Sequence, residues 1–323
     1  MSATLVVCFF GLFFIGYFGR RFISLPKNVW LLFVAQPLAM ASSSMVVFAG
    51  GLLATQLAPQ PEWATLPLTL MILGTAIAVI PASLLMKKWG RRNGILIGLS
   101  LALSGALFAT LAALQASFVL LVSGAILLGT SLAFVAQMRF AAIESLDITS
   151  DAPKAVSVLM VGGMFAAVLG PEIAVAGKEW LQSPFGFAGS FLALALLIVL
   201  SMLVVAQLEP ILISDTSEKK SSRPLVTVVR QPLFIIALLA GVIGYSVMSY
   251  VMTATPMSMH DIHGHSLEST KWVIQSHIIA MYLPSLFSAL LVRYIGVVGL
   301  MLIGCFVYAA VILVALSGQQ VGH

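Results

Sequence analysis

Long runs of apolar residues, separated by short polar segments, dominate the chain from end to end. A helix needs about 20 such residues to cross roughly 30 Å of hydrocarbon, because each residue adds 1.5 Å. Nine runs reach that length, and they predict membrane-spanning helices at about 28–56, 64–86, 93–114, 116–138, 154–177, 185–208, 231–256, 271–293 and 295–317. We number these spans one to nine.

A shorter apolar run at 3–19 precedes the nine spans. It lacks the positively charged leading region of a secretory signal. The run therefore predicts either an extra hydrophobic helix that begins outside the cell or upstream sequence added by a misplaced start. We favour the extra helix.

The composition assigns the chain to the membrane. Of its 323 residues, 60% are apolar and 8% are charged, whereas about a quarter of the residues of a soluble domain are charged. So few charges cannot cover a water-facing surface, and lipid must be the solvent. The predicted fold class is all-α, a polytopic membrane helical bundle. Cys8 and Cys305 lie in apolar runs and are interpreted as small buried hydrophobes.

Lysines and arginines set the direction of the spans, because they are retained on the cytoplasmic side. The segment Lys87–Arg92 carries four cations in six positions. Placing it in the cytoplasm also places all but two of the 16 Lys and Arg residues there, with Lys178 and Lys271 outside. These cations lie in short loops rather than on one solvated face, so the net charge of +5 does not indicate nucleic acid.

An internal repeat predicts two halves. The stretch SLLMKKWG at 83–90 matches ALLVRYIG at 289–296 in apolar pattern, in a basic residue and in the closing glycine, at an offset of 206 residues. Duplicated halves are common in transporters. The repeat also predicts three further spans after span nine, which the chain lacks. The predicted units are an extra segment 1–27, a six-helix bundle 28–208, a cytoplasmic linker 209–230 and a partial three-helix bundle 231–323.

Six spans, a basic linker, a second set of spans and a glycine-closed basic loop after span two together resemble the Major Facilitator Superfamily. The family's loop pattern is roughly Gly-x-Leu-Ala-Asp-Arg-x-Gly-Arg-Arg. The residues that match it are Leu85, Lys88, Gly90, Arg91 and Arg92. Ser83 and Lys87 stand where the family has its glycine and its acidic residue. The resemblance implies that this loop, Lys87 included, is a structural and gating element at the cytoplasmic face.

A second motif, GGMFAAVLGPEIA at 162–174 in span five, is similar to a glycine-rich family motif that ends in Gly-Pro and is prominent in proton-coupled exporters. Gly163, Gly170 and Pro171 fit this motif, while Ala174 stands where glycine is usual. The family's arginine in span four is replaced by Ala125. The resemblance implies a secondary transporter of the bacterial inner membrane, with two bundles that rock about a central site.

Polar side chains inside the spans are candidates for contact with a substrate, because such a transporter holds its substrate near the bilayer midplane. Helical spacing selects the groups that share a face: Gln36 and Ser43 in span one, Thr130 and Gln137 in span four, Ser246, Ser249, Tyr250 and Thr253 in span seven, and Gln275 and Tyr282 in span eight. Tyr245 lies to one side of the span-seven stripe. Hydrogen bonding between helices is the alternative role of each set. For Gln36, the alternative is to replace the backbone bond that Pro37 interrupts.

Two ionisable residues inside the spans are candidates for proton coupling. Glu172 is the only carboxylate well inside a predicted span, and His277 can carry protons near neutral pH. Packing or hydrogen bonding is the alternative for both. Arg139 is interpreted as a cytoplasmic anchor, with binding of an anionic substrate as its alternative. The outer loop HDIHGHS, 260–266, is interpreted as solvated rather than metal-binding, and no cofactor or metal is expected.

The sequence thus predicts a secondary active transporter of a small organic solute, whose partners are the lipid bilayer, the solute and, if transport is coupled, protons. The polar stripes are mostly neutral, which favours a neutral or aromatic solute. Two alternatives stay open: a fragment that does not transport, and an intramembrane enzyme. The spans hold no His-Glu-x-x-His, no Gly-x-Ser-x-Gly and no pair of aspartates, which disfavours the enzyme.

Overall fold

A computed structural model describes residues 3–146, 151–210 and 225–317, which are mostly helical and contain no strand. The helices are α1 Ala3–Phe18, α2 Lys27–Met45, α3 Gly51–Leu57, α4 Leu66–Trp89, α5 Arg91–Gln115, α6 Phe118–Val135, α7 Met138–Glu144, α8 Ala152–Gly177, α9 Ala188–Val205, α10 Leu225–Val229, α11 Pro232–Met257, α12 Leu267–Tyr282 and α13 Ser288–Ser317. Within these residues, nine helices are long and apolar enough to cross a membrane. The predicted polytopic helical bundle is confirmed.

Most of the predicted spans correspond to single helical rods. Span one runs through α2, a π-helical turn at Val46–Gly50 and α3 as one rod, Lys27–Leu57. The shorter run at the start of the chain forms α1, which is itself among the nine helices of sufficient length.

Span eight differs from its prediction of one continuous helix over 271–293. Helix α12 ends at Tyr282, and a short 3-10 turn, Pro284–Phe287, separates it from α13. Pro284 explains the break, because proline has no backbone N–H to donate and its ring clashes with the preceding turn. With 16 residues, α12 is shorter than a span requires.

The core lies in the N-terminal part of the chain, around α2. This helix packs against α8, α9 and α6, and α5 and α6 pack closely beside it. Glycines allow the closest approaches: a Cβ at Gly105 in α5 would lie 2.8 Å from the carbonyl oxygen of Gly124 in α6. In lipid, association of helices depends on such packing, because burying apolar surface gains little there.

The C-terminal helices contact this core mainly through α12, which packs along α8. By contrast, α11 and α13 are largely exposed on their apolar surfaces. They are joined to each other by the Tyr308 hydroxyl, which donates to the Gly244 carbonyl oxygen at 2.9 Å.

The internal repeat extends to the backbone. Gly90, between α4 and α5, has φ 82° and ψ 162°, and Gly296, inside α13, has φ 74° and ψ 165°. These residues are separated by the same 206 positions that relate the matching sequences. This conformation is essentially restricted to glycine, so both closing glycines are required by the same turn. Gly296 therefore divides α13 where spans eight and nine were predicted to meet.

The predicted linker, 209–230, lies largely outside the described residues. At its start, the backbone of Glu209 is held by the Asn28 side chain through hydrogen bonds of 3.0 and 3.2 Å. Lys27 also forms an ion pair with the Glu209 carboxylate at 3.2 Å. The chain therefore leaves the N-terminal bundle beside the beginning of α2. The division into units remains a prediction.

Candidate substrate-binding site

A cavity of about 430 Å³ lies between the N-terminal bundle and the C-terminal helices. Its walls come from α2, α4, α6 and α8 on one side and from α11 and α12 on the other. Its size falls in the range of about 300–1,000 Å³ that is typical of small-molecule sites. Two parts of the molecule thus meet around a space large enough for an organic solute.

Half of the predicted substrate-binding residues line this cavity: Gln36, Ser43, Ser249, Thr253 and Tyr282. The Thr253 hydroxyl already donates to the Ser249 carbonyl oxygen at 2.6 Å. The structure thus brings predicted residues from three different helices, α2, α11 and α12, to one site.

The other half do not line it. Thr130 packs beside Gly74 of α4, Gln137 accepts a hydrogen bond from Arg91 Nη1 at 3.4 Å, and Gln275 donates to the Val168 carbonyl oxygen at 3.2 Å. These three side chains have contacts of the interhelical kind that was their alternative role. Ser246 and Tyr250 are exposed on α11, and 77% of Tyr250 is accessible.

The face of α11 that meets the cavity is rotated from the stripe predicted for span seven. The cavity-lining residues of α11 are Tyr245, Met248, Ser249, Met252 and Thr253. At 100° per residue, the centre of this set lies roughly 80° from the centre of the predicted set. Tyr245, which the sequence placed to one side of the stripe, therefore lines the cavity, and Tyr250 does not.

Methionines form much of the apolar wall. Six of the 15 methionines in the chain line the cavity: Met40, Met71, Met160, Met248, Met252 and Met281. The thioether is polarisable and flexible, and it makes favourable contacts with aromatic rings. Sequence reasoning missed these residues because a methionine facing a cavity looks the same as one facing lipid.

Gln36 is the most deeply buried of the predicted polar residues in the wall. The residue is 6% exposed, and its Oε1 is buried with no hydrogen-bond partner among the described residues. Its Nε2 lies 3.2 Å from the Met40 sulfur. The amide therefore does not replace the backbone bond lost at Pro37, which was its alternative role.

Arg139 also lines the cavity, beyond the end of α6. Its Nε donates to the Ala136 carbonyl oxygen at 3.1 Å, and it forms no ion pair within the part of the chain that the structure describes. The interpretation of Arg139 as a cytoplasmic anchor did not place it in this wall. Its guanidinium adds a positive charge to a surface that is otherwise neutral.

The glycine-rich motif of α8 shapes both the site and the core. A Cβ at Gly163 would overlap the ring of Tyr282, so this glycine makes room for the aromatic side chain of α12. A Cβ at Gly170 would overlap Ser44 in α2 in the same way. Pro171 follows inside α8 and is buried. The motif thus permits close packing of α8 on both α2 and α12.

A buried ion pair joins α8 to α12 outside the cavity. Lys271 Nζ lies 2.9 Å from Glu172 Oε1, and the two side chains are 6% and 3% exposed. Gln275 Nε2 lies 3.4 Å from the same carboxylate oxygen, and Glu268 also pairs with Lys271. The sequence placed Glu172 inside a span but did not predict that Lys271 is its partner. His277 does not line the cavity, and its Nε2 is buried without a described partner.

A family model for the Major Facilitator Superfamily matches residues 32–321. The chain belongs to this superfamily. It is a multi-pass membrane protein and a transporter rather than an enzyme. Its class is that of secondary transporters of small solutes.

Curated members of the superfamily align with most of the chain. The riboflavin transporter RfnT of Brucella anthropi is 34% identical over 304 residues, which cover 92% of this chain and 74% of RfnT. Two uncharacterised MFS-type transporters of Bacillus subtilis, YdeG and YddS, are 29% and 27% identical over 84% of this chain. Those two alignments cover 65% of each relative. No solved structure matches the chain.

The basic loop of this superfamily member contacts the end of α7. Arg91 Nε donates to the Glu144 carboxylate at 2.7 Å, and Arg91 also contacts Gln137. The other cations of the loop, Lys87, Lys88 and Arg92, are exposed. Sequence reasoning missed Glu144, which lies on the cytoplasmic side with most of the cations. The loop thus ties α5 to the end of the α6–α7 segment, and its gating role remains a prediction.

The histidine-bearing loop that follows α11 is folded on itself. His260 Nδ1 lies 2.9 Å from the His265 carbonyl oxygen, and His263 Nδ1 lies 2.8 Å from the Ser258 carbonyl oxygen. Across the described segments, no group of three or more His, Cys, Asp or Glu side chains is placed to hold a metal ion.

Proposed function

We propose that this protein transports a flavin, riboflavin or a close relative, across the bacterial inner membrane by alternating access around the cavity. The observation that carries the proposal is the cavity itself: a methionine-rich, mostly neutral wall of the right size, shared by the two parts of the molecule. A flat heteroaromatic ring system suits thioether surfaces. The similarity to RfnT, which is named a riboflavin transporter, supports the same substrate class.

The transport test uses the purified chain in proteoliposomes, with flavin fluorescence as the measure of uptake. We expect wild-type vesicles to accumulate riboflavin above empty vesicles. Ser249→Trp, which adds bulk to the cavity wall of α11, is expected to reduce the initial rate by about tenfold or more, because displaced contacts in a close-packed site are costly. Ser100→Trp is the matched control, since Ser100 is exposed on α5.

Equal uptake by wild-type and empty vesicles would contradict the proposal. Riboflavin binding without uptake would instead support the alternative of a chain that binds substrate but does not transport it. Uptake by Ser249→Trp equal to that of wild type would show that the cavity is not the transport site.

Proton coupling is a further element of the proposed mechanism. Glu172 is the stronger candidate, because its ion pair with Lys271 connects α8 to α12 across the contact between the two parts of the molecule. Protonation of the carboxylate would remove the charge that holds Lys271 and would loosen that contact. His277 remains the second candidate, since its Nε2 is buried in the same helix as Lys271.

A further inference from the structure

Within the described part of the cavity wall, the Gln36 side chain holds the one buried polar atom without a hydrogen-bond partner, its Oε1. Native structures rarely leave such atoms unpaired, because a buried polar group loses its bonds to water without replacement. The oxygen is covered in this conformation, and rotation of the side-chain amide toward the cavity would let a ligand supply the missing bond.

The surroundings of Gln36 do not satisfy its amide. Its Nε2 faces the Met40 sulfur, a weak acceptor. Two hydroxyls of α2 are engaged with backbone carbonyls: Ser42 donates to the Ala39 carbonyl oxygen at 2.7 Å, and Ser44 donates to carbonyl oxygens of α2 and α8. The amide is therefore held in the most buried helix of the molecule with its hydrogen-bonding capacity largely unused.

The chemistry of the amide defines what it can recognise. A primary amide presents a donor and an acceptor side by side, and its complement is a ring edge on which a carbonyl is adjacent to an N–H. The pyrimidine edge of a flavin has this pattern, since its N3–H lies between two carbonyl groups. Methionines on neighbouring helices, Met252 and Met281 among them, line the same cavity and can cover the ring faces.

We propose that Gln36 is the specificity-determining residue of the cavity and that it binds the N3–H and an adjacent carbonyl of the flavin ring. This inference rests on the proposed flavin transport and adds the residue that selects the ring. The terminal torsion of glutamine is broad, so the amide can turn to present both groups to one edge. A ring whose N3 is alkylated cannot donate to Oε1, and this site will reject it.

The test compares two ligands, riboflavin and N3-methylriboflavin, by the quenching of their fluorescence on binding to the purified full chain. Wild type is expected to bind riboflavin about tenfold more tightly, because the methylated ring leaves the buried oxygen unpaired. In Gln36→Leu and in Gln36→Met, which keep the volume but remove the amide, we expect the two affinities to become equal. Gln207→Leu is the matched control, since Gln207 is exposed at the end of α9.

The outcomes separate the two proposals. If wild type quenches neither flavin, flavin transport itself is wrong. If wild type binds riboflavin but the tenfold preference persists in both Gln36 variants, flavin transport stands and the role of Gln36 is overturned, because the preference then comes from steric exclusion of the methyl group. Equal binding of the two ligands by wild type overturns the role of Gln36 as well.

Discussion

At the scale of single residues, the site depends on what each side chain can and cannot contact. Gly163 is informative because it has no side chain: a Cβ at this position would overlap the ring of Tyr282, which lines the cavity. The sequence identifies the motif only by its resemblance to a family motif. The structure adds that the packed partner is a cavity residue on the other side of the contact between α8 and α12.

Substitution of Gly163 by valine is expected to force Tyr282 out of its position and to lower the stability of the protein by about 1–3 kcal/mol, as overpacked substitutions do. Apparent melting temperature in detergent is the measurement. Combining the change with Tyr282→Ala should recover part of the loss, because the two sites are in contact. Gly241→Ala is the control, since no atom lies within 4 Å of a Cβ at Gly241; an equal loss there would contradict the steric explanation.

At the scale of helices, the contact between α8 and α12 is notable for its buried charges. The pair formed by Lys271 and Glu172 lies at a depth where unpaired charge is expensive, and Gln275 adds a hydrogen bond to it. The pair therefore fixes the position of α12 against α8. The exposed pair of Lys154 and Asp151, within α8 and beside its start, has no such role.

We expect Lys271→Met to destabilise the protein by about 3–5 kcal/mol, because it removes the cation that faces the buried Glu172 carboxylate. Adding Glu172→Gln should restore most of the stability by removing the stranded charge. Lys154→Met serves as the control, with an effect below about 1 kcal/mol. Thermal unfolding of the purified variants checks this, and a double variant no more stable than Lys271→Met would refute the pairing.

The substitution Glu172→Gln, made alone, also addresses coupling. Riboflavin uptake by wild type is expected to respond to an imposed proton gradient, and Glu172→Gln should remove the response because it cannot be protonated. A response that survives in Glu172→Gln would leave His277 as the remaining candidate among the residues considered.

At the scale of the whole molecule, the repeat and the charge pattern agree on one arrangement. Gly90 and Gly296 have the same backbone conformation at the repeat offset, so both basic loops turn in the same way. The sequence places these loops in the cytoplasm with nearly all other cations. The cavity then lies between helices that start on opposite sides of the membrane.

This orientation predicts the reactivity of single cysteines in a chain whose own cysteines, Cys8 and Cys305, are replaced by alanine. An impermeant maleimide added to intact cells is expected to label Glu62→Cys, in the turn before α4. Lys88→Cys, at the opposite end of α4, is expected to react only after the inner membrane is permeabilised. The reverse pattern would invert the predicted topology.

The positions of most helices followed from the sequence, because they depend on local hydropathy and on single residues such as Gly90. Span eight is the exception, since its helix α12 ends at Tyr282. The tertiary structure alone decided which face of each helix meets the cavity. Lipid and a protein interior are both apolar, so a membrane helix has little amphipathic pattern to reveal its orientation. This is why Tyr245 rather than Tyr250 lines the site. The tertiary structure also determined which charged residues distant in sequence form ion pairs, such as Glu172 with Lys271 and Arg91 with Glu144. Periodicity gives angles within one helix and no information about which helix lies opposite.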